Sequence, residues 1–232
     1  MTTAFVLATG NADKVREITE ILSDAFAQEL RTEPILADGA TASLVSDAGA
    51  TGIPSVSVTH TLNVEETGGT LVANARIKAA AWCAATGLPA IADDTGLFVD
   101  ALDGAPGVDT AYFAGPTATY AENVAKLLRV LDGVPDELRG AYFATSAIAV
   151  FPDGHEVVVE GRATGSIARS TAGDTGFGFD PVFIPDDGGG RRFAEMSMEE
   201  KHLRSHRGRA FRALAARLVD DGCGAGVLGR SA

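Results

Sequence analysis

The period of apolar positions changes once in the first thirty residues. Residues 3–8 (TAFVLA) are apolar almost without a break and predict a buried strand. Val15, Ile18, Leu22, Phe26 and Leu30 then recur at helical spacing, which predicts a helix over about 12–30 after the turn Thr9-Gly10-Asn11. Residues 31–55, rich in Ala, Ser, Gly and Asp, show no period and read as a loop or insert; weak alternation from Val56 and Val58 up to Leu62 predicts a strand. Thr70 to Thr86 is a helical pattern stopped by Gly87 and Pro89. The next apolar run, Leu88 to Ala92, predicts a strand that ends in Asp93-Asp94. Glycines and prolines over 103–116 mark a loop. A helix follows over about 118–131, and Tyr142–Phe151 and Glu156–Gly161 flank the turn Pro152-Asp153-Gly154 as a hairpin. Residues 173–181 (GDTGFGFDP) form a Gly-rich loop, Val182–Ile184 a short strand and Asp186–Arg192 a mobile loop. Ser197-Met198-Glu199-Glu200 is a capping box, a last helix covers about 207–221, and the Gly-rich tail 223–232 frays. Early strand–helix alternation and a later hairpin predict an α/β domain with a mixed sheet and flanking helices, a single two-lobed unit over 1–222 around a cleft.

Composition adds bounds. At 232 residues, 46% hydrophobic and 22% charged, the chain can bury a sizeable core and is not of disordered composition. Nineteen Lys and Arg against 31 Asp and Glu give a net charge of −12. That balance opposes a nucleic-acid partner, yet a few cations can still converge on one small anion. It suits work with a divalent cation, and solubility explains it equally well. The two cysteines, Cys83 and Cys223, make no CxxC and point to a reducing compartment. No apolar run reaches membrane-spanning length and no signal-peptide pattern opens the chain, so a cytoplasmic protein without a membrane partner is expected.

Four stretches could carry chemistry, and each has a plain structural alternative. Thr9-Gly10-Asn11-Ala12-Asp13-Lys14 joins a strand to a helix start, where free N–H groups suit a phosphate; it could equally be an ordinary turn capped by Asn11. Asp93-Asp94 point to opposite faces of a strand, so one can face a cleft, with Glu65-Glu66 as a further oxygen source for magnesium; the alternative is a solvated turn. Gly176-Phe177-Gly178-Phe179-Asp180-Pro181 offers aromatics for stacking on a base, or a bent edge strand with Phe in the core. Lys201 through Ser205-His206-Arg207-Gly208 can bind phosphate and a carbonyl oxygen, or merely add positive charge to an acidic protein. Asn74 and Lys78 share a helix face at i, i+4, and an inward Lys78 needs an anion.

The order of these motifs, with Gly104-Ala105-Pro106-Gly107 between them, resembles the inosine triphosphate pyrophosphatase family over roughly residues 4–220. The resemblance implies an elongated mixed α/β fold with a central cleft, a homodimer, and magnesium-dependent hydrolysis of ITP, dITP or XTP to the monophosphate and pyrophosphate. It implies that Thr9, Gly10, Asn11, Ala12, Asp13 and Lys14, with Lys78, grip the triphosphate. Glu65 and Asp94 would hold magnesium, Asp94 being the general base, and Thr95 would touch substrate. Phe177, Gly178, Phe179 and Asp180 would line the base and sugar pocket, with Lys201, His206 and Arg207 completing the base and phosphate contacts. Arg207 and backbone N–H groups would favour a 6-keto purine, because adenine would leave donors facing donors. Thr95 stands where Ser is more usual and Phe179 where Tyr is, and the long 31–62 segment leaves Glu65 and Glu66 both open as the metal ligand. A nucleotide-binding regulator would need no metal carboxylate, and an RNA-binding module is opposed by the acidic charge.

Overall fold

The computed structural model describes residues 5–26, 32–33, 62 and 64–220; the predicted strand before Leu62 and the tail from Cys223 lie outside them. The elements run β1 (Phe5–Leu7), α1 (Ala12–Phe26), β2 (Thr32–Glu33), α2 (Leu71–Thr86), β3 (Ala90–Val99), β4 (Pro106–Gly107), α3 (Tyr120–Val130), β5 (Gly140–Val150), β6 (Glu156–Ile167), β7 (Phe183–Pro185), α4 (Met198–Arg204) and α5 (His206–Asp220). The strands make one sheet of order β2-β1-β3-β5-β6-β7, with β4 also beside β3. β1 runs parallel to β2 and β3, and every pairing from β3 onward is antiparallel, so the sheet is mixed as expected.

Length gives the molecule its two lobes. Strand β5, at 11 residues, spans about 37 Å at the usual rise, more than one helix layer covers. Over one half of the long strands, α1 and α5 close one face, with Ile18, Leu22, Phe211 and Leu214 on Phe5, Ile91, Ala147 and Val157. Helix α2 closes the opposite face with Ala75, Ala79 and Trp82 on Val6, Ala92 and Ile148. Ile91 and Ala92 thus enter different cores, as strand alternation requires. Over the other half, Leu97, Val99, Phe143 and Ala163 meet Val124 and Leu127 of α3 together with Phe183 and Phe193. Cys83 is buried in α2 as a small core residue. Among the described residues no helix is long and apolar enough to cross a membrane.

Helix ends fall where the punctuation put them. Thr70 Oγ1 accepts from the Ala73 N–H, Gly87 closes α2 at φ 67°, and the box of Ser197 and Glu200 opens α4. Two strand ends were misread. The strand expected to end in Asp93-Asp94 runs on as β3 to Val99. Gly161 does not end its strand, because β6 continues to Ile167. The glycine is there because α5 crosses directly above it, and an added Cβ would run into His206 O and Ala210 N. In the 186–192 loop the exposed side chains are paired, Asp187 with Arg209 at 2.9 Å and Arg191 with Glu200 at 2.7 Å.

Candidate active site

The cavity begins as a gap in strand pairing. β1 stops pairing with β3 at Leu7↔Ile91, and β4 resumes along the same edge at Leu97↔Gly107. Neither pairs with residues 92–96. On this edge the Thr95 N–H donates to Asp94 Oδ1 at 3.0 Å and the Leu97 N–H to Thr110 Oγ1 at 2.7 Å, side chains standing in for a strand. The turn after β1 and the segment after β4 border a cavity of about 330 Å³, reached also by the starts of α3 and α5 and the loop before β7. Ligands commonly sit at the carboxyl end of a parallel strand such as β1.

The two aspartates separate here. Asp93 turns toward α1 and α5 and is 1% exposed. Lys14 Nζ donates to its Oδ1 at 3.2 Å, and Arg207 Nε and Nη2 both donate to Oδ2 at 3.3 Å. Burial alone would raise this carboxyl, but Lys14 and Arg207 outweigh it and hold Asp93 far below the ordinary carboxylate range. Burial lowers the Lys14 ammonium against the pull of Asp93. Thr95, two residues on and on the same face, accepts from Arg207 Nη2 at 3.1 Å and contacts Thr145 Oγ1 at 2.7 Å. Its hydroxyl is thus engaged in the buried network as well as bordering the cavity.

The network continues inward through a residue the sequence reading did not single out. Glu17, on the apolar face of α1, accepts from Arg207 Nη1 at 2.6 Å and pairs with Lys201 Nζ at 2.9 Å. Burial would raise Glu17, yet Arg207 and Lys201 bring it to about 2. Lys201 also donates to Asp180 Oδ2 at 2.7 Å. Burial pulls the Lys201 ammonium down; Asp180 and Glu17 overcome this and leave it raised. Three buried carboxylates thus face two buried cations, Arg207 and Lys201, and the partly buried Lys14. A guanidinium has five N–H donors, and four of those on Arg207 are spent on Asp93, Glu17 and Thr95. Arg207 acts chiefly as a brace, with one Nη1 hydrogen to spare.

Asp94 turns the other way and is 8% exposed. Asn74 Nδ2 donates to its Oδ2 at 3.0 Å, and Asn74 Oδ1 accepts from the Gly68 N–H at 2.9 Å, which fixes the amide. Lys78 Nζ stands 3.8 Å from Asp94 Oδ1 and 3.1 Å from Glu66 Oε2. One ammonium shared at these distances does not offset burial, which raises the Asp94 carboxyl despite Lys78 and Lys14. Asp94, Glu66 and Lys78 sum to one net negative charge on the cavity wall. This donor set is oxygen only, as a hard cation prefers, and magnesium needs only one or two protein carboxylates. Among the described residues no group of three or more His, Cys, Asp or Glu could hold a metal.

At the other end of the contact chain the loop before β7 divides its aromatics. Phe179 is buried in the core and borders the cavity as well. Phe177 borders the cavity, with Lys201 5.0 Å and Arg207 5.4 Å from its ring centre. Asp180 fixes this loop by accepting from the Phe177 N–H at 2.8 Å. Gly176 at φ 74° leaves no room for a side chain, since a Cβ would strike the Asp180 carboxylate. His206 is stacked on Phe143 at 4.4 Å; burial first, and Arg207 next, depress its pKa well below the ordinary value. Among the described residues its Nδ1 has no hydrogen-bond partner.

The chain matches the model of the Ham1 family over residues 5–217. It belongs to the Ham1 family. A relative from Streptomyces coelicolor named dITP/XTP pyrophosphatase is 44% identical over 212 residues, 91% of this chain and 95% of that protein. One of the same name from Mycobacteroides abscessus is 48% identical over 174 residues, 74% and 84% of the two chains. Among solved structures, a HAM1 protein from Coxiella burnetii matches with a TM-score of 0.73 at 33% identity, over 94% of this chain and 100% of that one.

Within this Ham1-family cavity most of the expected residues meet. Thr9, Gly10, Asn11, Lys14, Lys78, Asp94, Thr95, Phe177, Gly178, Phe179, Asp180, Lys201, His206 and Arg207 all border it. Ala12 and Asp13 do not; they form the first turn of α1, where Asp13 pairs with Arg16 at 3.2 Å. Asn11 is the helix cap of the plainer reading, accepting from the Asp13 and Lys14 N–H groups at 2.9 and 3.2 Å, and it borders the cavity as well. Glu65 is exposed and away from the cavity, while Glu66 borders it. Residues 108–112 and Tyr120 line it too, unexpected from sequence; the Thr119–Glu122 capping box was the available sign that a helix opens there.

Proposed function

We propose that the chain hydrolyses the non-standard purine nucleoside triphosphates ITP, dITP and XTP to the monophosphate and pyrophosphate, with magnesium held by Asp94 and Glu66. One observation carries this reading: a single cavity unites two lysines, a half-buried aromatic and a buried carboxylate. Two sets of contacts line it: Glu66, Lys78 and Asp94 in one, and Lys14, Asp93, Arg207 and Phe177 in the other. A triphosphate suits the lysines and the start of α1. A flat base suits the Phe177 face. The dITP/XTP pyrophosphatase relatives support the same substrate class.

Magnesium, when bound, supplies charge neutralisation for phosphate oxygens and acidifies its water. The protein's own residues do the remaining work. Asn74 and the Thr95 N–H occupy one lone pair on each Asp94 oxygen and leave others for water or metal. Asp94, fixed by Asn74 and the Thr95 N–H, would orient the attacking water, whose proton a bound magnesium makes easier to remove. Lys14 and Lys78 stabilise the departing pyrophosphate. His206 and Arg207 border the cavity from the start of α5 and would face the nucleotide there. The test is incubation with magnesium and dITP, XTP, ITP, ATP or GTP, with pyrophosphate and phosphate measured separately. Pyrophosphate from the first three, lost on chelation by EDTA, is expected. Its absence with dITP and XTP would overturn the reading, and activity surviving chelation would remove the metal from it.

A further inference from the structure

The mouth of the cavity carries a side chain to which the reaction above gives no role. Tyr120 is the first residue of α3, 41% exposed, and borders the cavity. Its position is fixed twice over. Thr119 and Glu122 cap α3 reciprocally. Asn123 then ties the helix to the preceding segment, donating to Ala111 O at 2.9 Å and accepting from the Ala114 N–H at 2.7 Å.

From that base Tyr120 reaches both ends of the cavity. Its ring centre lies 5.8 Å from Phe177 at 37°. Aromatic rings in contact have centres about 4.5–7 Å apart, so the two rings already touch. Its hydroxyl is 2.8 Å from Asn11 Nδ2. The Asn11 carbonyl oxygen is committed to the Asp13 and Lys14 N–H groups, so its NH₂ is the donor and the Tyr120 oxygen the acceptor. The Tyr120 proton therefore remains to donate, and none of the described residues accepts it.

We propose that Tyr120 is a substrate-binding residue for the middle of the nucleotide. Its O–H donates to a sugar or α-phosphate oxygen, between Phe177 at the base and Asn11 to Lys14 at the outer phosphates. This rests on the nucleotide reading above. The informative variant is Tyr120→Phe, which keeps the ring against Phe177 and deletes only the hydroxyl. Pyrophosphate release is followed with ITP, dITP and XTP to separate KM from kcat. KM is expected to rise about threefold to tenfold, the worth of one neutral hydrogen bond, with kcat changed less than about twofold. The thermal midpoint should stay at the wild-type value, because an exposed hydroxyl is lost. An effect seen with ITP and missing with dITP assigns the bond to the 2′-hydroxyl; equal effects assign it to the remaining sugar or α-phosphate oxygens. Wild-type KM in Tyr120→Phe on all three substrates, or a fall confined to kcat, overturns the proposal while leaving the activity intact. A wild-type chain that releases no pyrophosphate overturns the nucleotide reading and the proposal together.

Discussion

Asp93 and Asp94 are neighbours in sequence and opposites in energetics. Asp93 is fully buried and meets Lys14 and Arg207, so its charge is already balanced. Asp94 is buried with only a shared Lys78 at 3.8 Å. Asn substitutions should separate them. Asp93→Asn leaves buried cations short of a partner and should destabilise the fold by about 3–5 kcal/mol, as breaking buried pairs does. Asp94→Asn removes a poorly compensated charge, so the denaturation midpoint should hold or rise, while turnover falls at least about a hundredfold and nucleotide binding survives. Urea melts and pyrophosphate release on both variants check this; equal stability losses, or near-normal turnover in Asp94→Asn, contradict it. Strand alternation made the opposed orientation of the pair legible in the sequence. It could not show which cations meet Asp93, because Arg207 lies 114 residues away. Glu17 stayed hidden for a related reason: a carboxylate on an apolar helix face reads as tolerated until the groups facing it are known.

At the scale of elements, legibility followed local chemistry. Helices with a cap or a glycine stop, such as α2 and α4, could be read because the signal lies within a few residues of the boundary. The segments after β4 could not, because their role is to close an edge that β1 vacates, and no local pattern encodes that gap. The GFGFD stretch could be read only halfway: both aromatics attract notice, and tertiary packing alone sends Phe179 into the core and Phe177 to the cavity. Gly161 is the instructive misreading. It resembles a strand end and is instead a contact surface for α5, whose first two residues are His206 and Arg207. Gly161→Ala has an allowed extended backbone, so its whole effect is overpacking. It should destabilise the chain by roughly 1–3 kcal/mol. It should also lower kcat/KM with dITP, because the start of α5 is pushed off the sheet and takes His206 and Arg207 with it. Denaturant unfolding and initial rates measure the two effects, and stability lost with kcat/KM unchanged would show that the start of α5 is not what sets the site.

At the scale of the whole molecule, an acidic protein of net charge −12 keeps its cations where they matter. Lys14, Lys201 and Arg207, all bordering the cavity, are paired with Asp93, Asp180 and Glu17. This couples the fold to pH with a definite sign. Burial raises Glu17, but Arg207 and Lys201 prevail and bring it to about 2 from an ordinary 4.5. As pH falls, the unfolded chain takes up that proton first. The stability contributed by Glu17 is therefore complete above about pH 4.5 and gone below about pH 2, and amounts to about 3 kcal/mol. Asp93, shifted the same way, adds to the loss at still lower pH. Asp94 works in the opposite direction: its raised pKa gives stability that is present in acid and lost as pH rises through its folded value, which softens the slope without reversing it. Glu17→Gln separates these contributions. The variant should be less stable than wild type near pH 7, because Arg207 and Lys201 lose a shared partner. It should also lose part of the decline between about pH 4.5 and pH 2. Urea unfolding at a series of pH values measures both. A variant that retains the full wild-type decline would mean that the acid limb belongs to other carboxylates and not to Glu17.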